Sequence, residues 1–232
     1  MTGRRELWSR CYLTARTEGI AAGFALLSGA FGAGEAPCGP GGHLVVPARA
    51  TPGGGTARRR AAVAEGMLAA EGLAVVRRPG PDPGTAGDKF REWLTGLAWL
   101  RLGTSERLLG SCLGYLGGRS TGGSPLIGQQ MVKGDVSDAV IEQMEVRAVL
   151  SGAAGILLTA AELGHLHRQL TGADRMLLRL LGASGFLADG PGRQALVSEL
   201  LADVYRAAAD PAAADPAADP AAAGTAGGER RD

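Results

Sequence analysis

The sequence contains few aromatic residues and no excess of either charge. Phe, Trp and Tyr make up 4% of the chain, and alanine supplies much of its 45% hydrophobic content. Because alanine buries little area, we expect a core smaller than that percentage implies. The formal net charge is only +1, so no long-range field would steer the protein to a polyanion or an anionic membrane. A nucleic-acid-binding function is therefore not supported.

The sequence also lacks closely spaced cysteines and long apolar runs. Cys11, Cys38 and Cys112 are far apart, whereas zinc and redox motifs need close pairs, so we expect reduced structural thiols. No run approaches the roughly 18 apolar residues that span a bilayer, and charged residues interrupt the N-terminus where a signal peptide would be apolar. We therefore expect a soluble cytoplasmic protein.

Residues 1–87 are interpreted as a reduced or loop-rich N-terminal region. The pattern predicts a helix over 7–31 weakened by glycines, a second helix over 57–71, and short strands at HLVV and LAVVRRP. A glycine- and proline-rich stretch separates the first helix from the second. At the other end, residues 209–232 repeat Ala and Pro, which cannot form a core. This tail is predicted to be disordered.

Residues 88–208 are predicted to form a mainly α domain. Asp88 is the predicted N-cap of a helix of about 27 residues that stops at Gly117 and Gly118. Apolar residues recur at spacings of three and four in this segment and in three later ones. The later helices are predicted at 125–150, at 153–181 with a break at TGAD, and at 193–208. Four amphipathic helices with short connections predict an antiparallel four-helix bundle.

Two motifs in this domain match the pattern of a known protein family. The first is a helix ending in Tyr, an Arg-x-x-Phe-Gly loop, a Pro or Leu, and a Gln that opens the next helix; the second is a glycine-rich turn followed by Pro. The matching residues are Tyr115, Arg119, Gly123, Leu126 and Gln130 in the first motif, and Gly182, Ala183, Gly185, Phe186 and Pro191 in the second. With these motifs the domain resembles the C-terminal domain of the acyl-CoA dehydrogenases.

The resemblance implies a flavin site at a subunit interface and a bundle that oligomerises. In that family the loop arginine reaches the FAD pyrophosphate of a neighbouring subunit, where a guanidinium fork suits phosphate geometry. Arg119 and Gln130 are therefore candidate FAD-binding residues. Gly182 and Gly185 are candidates because a turn without side chains lets the backbone approach the cofactor.

The sequence departs from the family at one flavin-binding position and at the catalytic position. Gly122 replaces the loop phenylalanine, and Arg206 stands at the position of the usual catalytic glutamate. Arginine stays protonated and cannot abstract a proton. Some family members carry the base on the first helix of this domain, near Trp93, so Glu92 is the candidate catalytic base. The alternative is that Glu92 is a solvated first-turn residue that favours the helix dipole.

Two functions remain open from the sequence. The chain is either a flavin-dependent acyl-thioester dehydrogenase, an oxidoreductase that acts on CH–CH bonds of an acyl-CoA or acyl-carrier-protein substrate, or a catalytically degenerate helical partner of a complete acyl-CoA dehydrogenase subunit. Either function implies a homo- or hetero-oligomer. A metal site is not expected, because His165 and His167 are two residues apart and a helical metal pair needs a spacing of four.

Overall fold

The computed structural model describes residues 2–32, 36–48, 64–77, 87–153, 156–187 and 189–205, and these are mainly helical. Seven α-helices and two small two-stranded sheets occur among them. The helices are α1 (Thr2–Thr17), α2 (Ile20–Phe31), α3 (Ala64–Ala70), α4 (Asp88–Gly117), α5 (Gln130–Gly152), α6 (Ala160–Leu181) and α7 (Gly192–Tyr205). The strands are β1 (His43–Pro47), β2 (Leu73–Arg77), β3 (Ser120–Thr121) and β4 (Ser124–Pro125).

The helix predicted over 7–31 is two helices in the structure. Gly19 separates α1 from α2 and has a φ of 109°. L-residues with side chains rarely adopt this backbone conformation, so the chain turns at the glycine and a second helix begins. The prediction of one helix was wrong because the apolar spacing continues on both sides of the turn.

Both strands predicted before residue 88 are confirmed. β1 and β2 pair antiparallel, with Leu44 opposite Val76 and Val45 opposite Val75. Leu44 and Val45 are buried, so the sheet contributes its apolar side chains to the core. The helix predicted over 57–71 corresponds to α3, and residues 57–63 lie outside the described residues.

The long helix α4 begins and ends close to its predicted limits, but its N-cap differs. Gly87 is the N-cap residue, and Asp88 is the first helical residue, whose carboxylate pairs with Arg91 one turn later. Asp88 therefore does not cap the helix as expected. The predicted stop is confirmed, since α4 ends at Gly117 with Gly118 as its C-cap.

The later helices were predicted in the right number but with inaccurate starting residues. The prediction that α5 begins at residue 125 was wrong, because 120–125 form the β3–β4 hairpin and a 3₁₀ turn follows. The predicted start of α6 at 153 and break at TGAD were also wrong. Thr159 caps α6 in a reciprocal arrangement with Glu162, and the helix then continues to Leu181. Residues 206–208 of the last predicted helix, and the tail, lie outside the described residues.

The hydrophobic core continues across residue 87. Trp93 on α4 is fully buried and packs against the rings of Phe24, Phe31 and Tyr205 at centroid distances of 5.8, 5.2 and 5.3 Å. The Tyr205 hydroxyl accepts a hydrogen bond of 3.0 Å from the Val45 amide. Elements before and after residue 87 thus pack around one end of α4.

Helices α1 and α4 approach so closely that one glycine is required between them. A Cβ at Gly103 would overlap the Tyr12 carbonyl oxygen, whereas one at Gly110 on the same helix meets no described atom within 4 Å. Gly103→Ala should lower the free energy of unfolding by about 1–3 kcal/mol through overpacking. Gly110→Ala, the matched control, should raise it by up to about 1 kcal/mol because alanine favours the helix. Denaturant titrations measure both; equal effects would contradict the close approach.

Candidate functional site

Arg119 lies at the base of a tight hairpin that follows α4. The two turn residues between β3 and β4 are Gly122 and Gly123, with φ values of 56° and 81°. A two-residue turn with both φ values positive matches the twist of a hairpin and strongly favours glycine. The glycine at 122, where the resemblance would place a phenylalanine, thus has a local structural reason.

The guanidinium of Arg119 is presented at the surface. Its carbon atom lies 4.4 Å from the centre of the Tyr115 ring, and the Arg119 carbonyl accepts a hydrogen bond of 2.8 Å from the Leu126 amide. The contact with the ring holds the guanidinium, and Arg119 as a whole is exposed. Gln130, the first residue of α5, is also exposed. Both candidate residues therefore face outwards at the α4–α5 connection.

The Gly182–Gly185 turn packs at the same end of the molecule. Gly182 has a φ of 56°, and Gly185 is buried, where a Cβ would lie 3.0 Å from Leu181 Cβ and 3.3 Å from the Leu178 carbonyl. One hydrophobic cluster, here called the hairpin-end cluster, joins this turn to the hairpin region. Its members include Leu108, Cys112, Leu116, Leu126, Ile127, Leu177, Leu178, Leu181 and Ala195.

Glu92 lies near the opposite end of α4. At roughly 1.5 Å per residue, it is about 37 Å along the helix axis from Gly117. The structure therefore brings the hairpin and the Gly182 turn to one end, and it separates both from the candidate base. These two sets of residues do not form one site within one chain.

Glu92 is held in an ion pair with Arg4 of α1. The pair separates two cavities of about 460 and 410 Å³ that share Arg4, Trp8 and Glu92. The Glu92 side chain is 14% exposed and that of Arg4 is 57% exposed. The Glu92 carboxylate is thus paired with the Arg4 guanidinium. Glu92 would have to leave Arg4 before it could accept a proton from a substrate.

A buried polar cluster between α4, α5, α6 and α7 was missed in the sequence analysis. At its centre the Arg101 side chain is fully buried. It donates from Nε to Ser198 Oγ at 2.9 Å, from Nη1 to the His167 carbonyl at 2.9 Å, and from Nη2 to Thr171 Oγ1 at 2.8 Å. His167 Nδ1 lies 3.1 Å from Arg101 Nη1. Neutral oxygens from α6 and α7 thus replace the water that the guanidinium loses.

Asp174 belongs to the same cluster. It is 3% exposed, and burial raises the pKa of its carboxyl group to about 7 against the opposing influence of the Ser105 hydroxyl and the Arg101 charge. Ser105 also accepts a hydrogen bond of 2.8 Å from the Gln143 side chain on α5. The cluster therefore reaches all four helices.

The sequence held a signal for this cluster. Arg101 and Ser105 occupy the register of the apolar stripe that runs through Leu97 and Leu108 on α4. Asp174 occupies the corresponding place between Leu170 and Leu177 on α6. Polar residues at core positions one turn apart on two neighbouring helices predict a shared buried network.

The thiols of Cys11 and Cys112 are buried, and burial raises the pKa of each to about 11. Because the thiolate is the reactive form, neither residue suits nucleophilic chemistry here. Within the described ranges, no group of three or more His, Cys, Asp and Glu side chains could hold a metal ion. None of the helices described combines the length and apolar character needed to cross a bilayer.

A scan against protein-family models finds no match to this chain, and a search of curated proteins finds none either. The position of Arg206, the residue at the family's glutamate position, lies outside the described residues.

Replacement of Arg101 tests the buried cluster. Arg101→Gln removes most of the donors that satisfy buried oxygens of α6 and α7, so the free energy of unfolding should fall by about 2 kcal/mol or more. Arg168→Gln is the control, because Arg168 is exposed on α6 and its loss should leave the denaturation midpoint unchanged. An unchanged midpoint for Arg101→Gln would contradict the structural role of the network.

Proposed function

We propose that this chain is a helical, non-catalytic partner subunit of a flavin-dependent acyl-thioester dehydrogenase assembly. In this assembly a full dehydrogenase subunit binds most of the FAD, and this chain contributes the Arg119 hairpin across the interface. The observation that carries the proposal is the outward position of Arg119 and Gln130 at one end of the molecule. A residue that serves a neighbour's cofactor has to be exposed in the isolated chain.

The framework of this proposal is an antiparallel four-helix bundle made of α4, α5, α6 and α7. The bundle is supported by the packing of α4 against the other three helices and of α6 against α5 and α7. Helix α1 also packs along α4, and its Tyr12 hydroxyl accepts a hydrogen bond from Arg147 of α5, so a fifth helix covers one side of α4. Helix α5 keeps an exposed outer side.

The outer side of α5 supplies the docking surface in this proposal. Ile141 and Met144 are 53% and 63% exposed, and Met131, beside Gln130, is 85% exposed. Exposed apolar side chains grouped on one helix are typical of an interaction surface, and methionine adapts to an irregular partner. The surface continues to Gln130, so a subunit docked there would also lie near the Arg119 hairpin.

Absorbance in the flavin bands tests the assembly. The purified chain alone should be colourless, and a mixture with any full-length acyl-CoA dehydrogenase that is encoded beside it should elute as a yellow hetero-oligomer. Arg119→Ala should weaken flavin retention by the mixed oligomer roughly tenfold, because a charge-assisted bond to phosphate is lost. Arg168→Ala is the matched control and should retain flavin. Unchanged retention with Arg119→Ala would remove this residue from the site.

The docking surface has a separate test. Met144→Glu places a charge in the proposed interface and should abolish co-elution with the dehydrogenase subunit, since burying an unpaired charge is costly. Leu13→Glu is the control, because Leu13 is 52% exposed on α1 outside the proposed surface. Co-elution that survives Met144→Glu, or is lost equally with Leu13→Glu, would count against the α5 surface.

The second candidate function is an active dehydrogenase with Glu92 as its base. It is favoured by the position of Glu92 between two cavities. In this case Glu92 would leave Arg4 and accept the α-proton of the acyl thioester, and FAD, if bound, would supply the hydride-accepting chemistry. Glu92→Gln should then lower turnover by about 10²-fold or more, measured by reduction of an electron-accepting dye. Equal activity of Glu92→Gln and the parent chain would exclude this role.

A further inference from the structure

Asp174 has an unusual environment for a carboxyl group. Its side chain is 3% exposed, and no donor among the described residues makes a well-aligned hydrogen bond to either carboxyl oxygen. A buried ionised carboxylate without aligned donors is costly, because it loses its hydration and gains little in return. The environment therefore favours the neutral, protonated acid.

The nearby Arg101 guanidinium does not compensate for the free energy of burying an ionised Asp174 carboxylate. The nitrogens of Arg101 are directed to Ser198, His167 and Thr171, so the guanidinium acts on Asp174 through space. The other groups around the carboxyl group are the Ser105 hydroxyl on α4, the Gln143 amide bonded to it from α5, and Glu199 on α7. Glu199 is an acid paired with Arg175, and its charge further disfavours ionisation of Asp174.

We propose that Asp174 is a proton-dependent switch in the core, whose neutral form holds α6 against α4 and α5 and whose ionised form loosens that packing. The cluster meets the structural need for such a switch, since one titratable group touches a network shared by four helices. Loss of a single proton thus changes the stability of the whole helical region. This inference is independent of any flavin or partner.

The direction of the pH dependence follows from the two states of the chain. In the unfolded chain an aspartate has a pKa of about 3.9, whereas burial raises the pKa of Asp174 in the folded chain to about 7. Between these values the folded state binds a proton that the unfolded state does not. The stabilisation by this proton is complete below about pH 4 and is lost as the pH rises through about 7.

The first experiment measures the unfolding equilibrium constant by denaturant titration between about pH 5 and pH 8. Over this range the constant of the wild-type chain should rise by on the order of 10–100-fold through Asp174 alone. Asp174→Asn, a neutral isostere, should remove that part of the rise and should be more stable than wild type at about pH 8. Asp135→Asn is the control, because Asp135 is exposed on α5, and it should follow the wild-type curve.

The comparison of wild type with Asp174→Asn also separates the effect of Asp174 from the effects of other titrating groups. His167 lies beside Arg101 in the same cluster, but it is present in both chains, so its contribution cancels in the difference. An Asp174→Asn chain whose pH dependence equals that of the wild type would overturn the proposal.

The second experiment observes the proton directly in the wild-type chain, so it does not depend on whether the variant folds. Difference infrared spectra of a chain with ¹³C-labelled aspartate should show the carbonyl band of a buried carboxylic acid at about pH 6, and this band should disappear as the pH is raised through about 7. In Asp174→Asn the band should be absent. Aspartate that is fully ionised in the folded wild-type chain at about pH 6 would refute the switch.

Discussion

The fold depends on the compensation of one buried guanidinium. Arg101 is fully buried near the middle of α4. An unsatisfied charge there would lower the free energy of unfolding by a large part of the total stability of a domain of this size. Its acceptors come from α6 and α7, so the positions of three helices along one another are coupled. A sliding movement of α6 by one residue would separate His167 and Thr171 from the guanidinium. Apolar packing alone would not fix that register.

The two ends of α4, on either side of Arg101, have different surroundings. At one end Trp93 packs against rings from α2 and α7, and the β1–β2 sheet joins through Tyr205. At the other end α4 stops at a hairpin that leaves Arg119 exposed over Tyr115. Since Glu92 and Gly117 are about 37 Å apart by helix rise, Glu92 and Arg119 of one chain do not lie in one site. Both residues could serve the proposed function only at different places in an assembly, and the Arg4 ion pair weakens the case for Glu92.

The periodicity of apolar residues was enough to predict the helices but not their ends. Spacings of three and four reveal a buried stripe, and this is why α4 was predicted almost completely. The start of α5 was wrong because Gly122 and Gly123 form a tight hairpin whose requirement for positive φ is invisible in an apolar pattern. The same requirement explains Gly122, which from the sequence appeared only as the loss of an aromatic side chain. The buried cluster was not predicted because the apolar spacing shows where Arg101 and Asp174 lie on their helices but not that the two residues meet.

Arg101 and Asp174 lie in one cluster, yet neither carboxyl oxygen of Asp174 accepts a well-aligned hydrogen bond from the described residues, and this arrangement has a physical advantage. A close buried pair would require both groups to lose their hydration, and such pairs often stabilise a protein no more than apolar residues of the same volume. Here the cation is satisfied by neutral oxygens, and the acid can become neutral by binding a proton. The cost of burial is therefore met by hydrogen bonds in one case and by protonation in the other. What Arg101 adds is specificity, because its hydrogen bonds constrain which residues of α4, α6 and α7 can lie side by side.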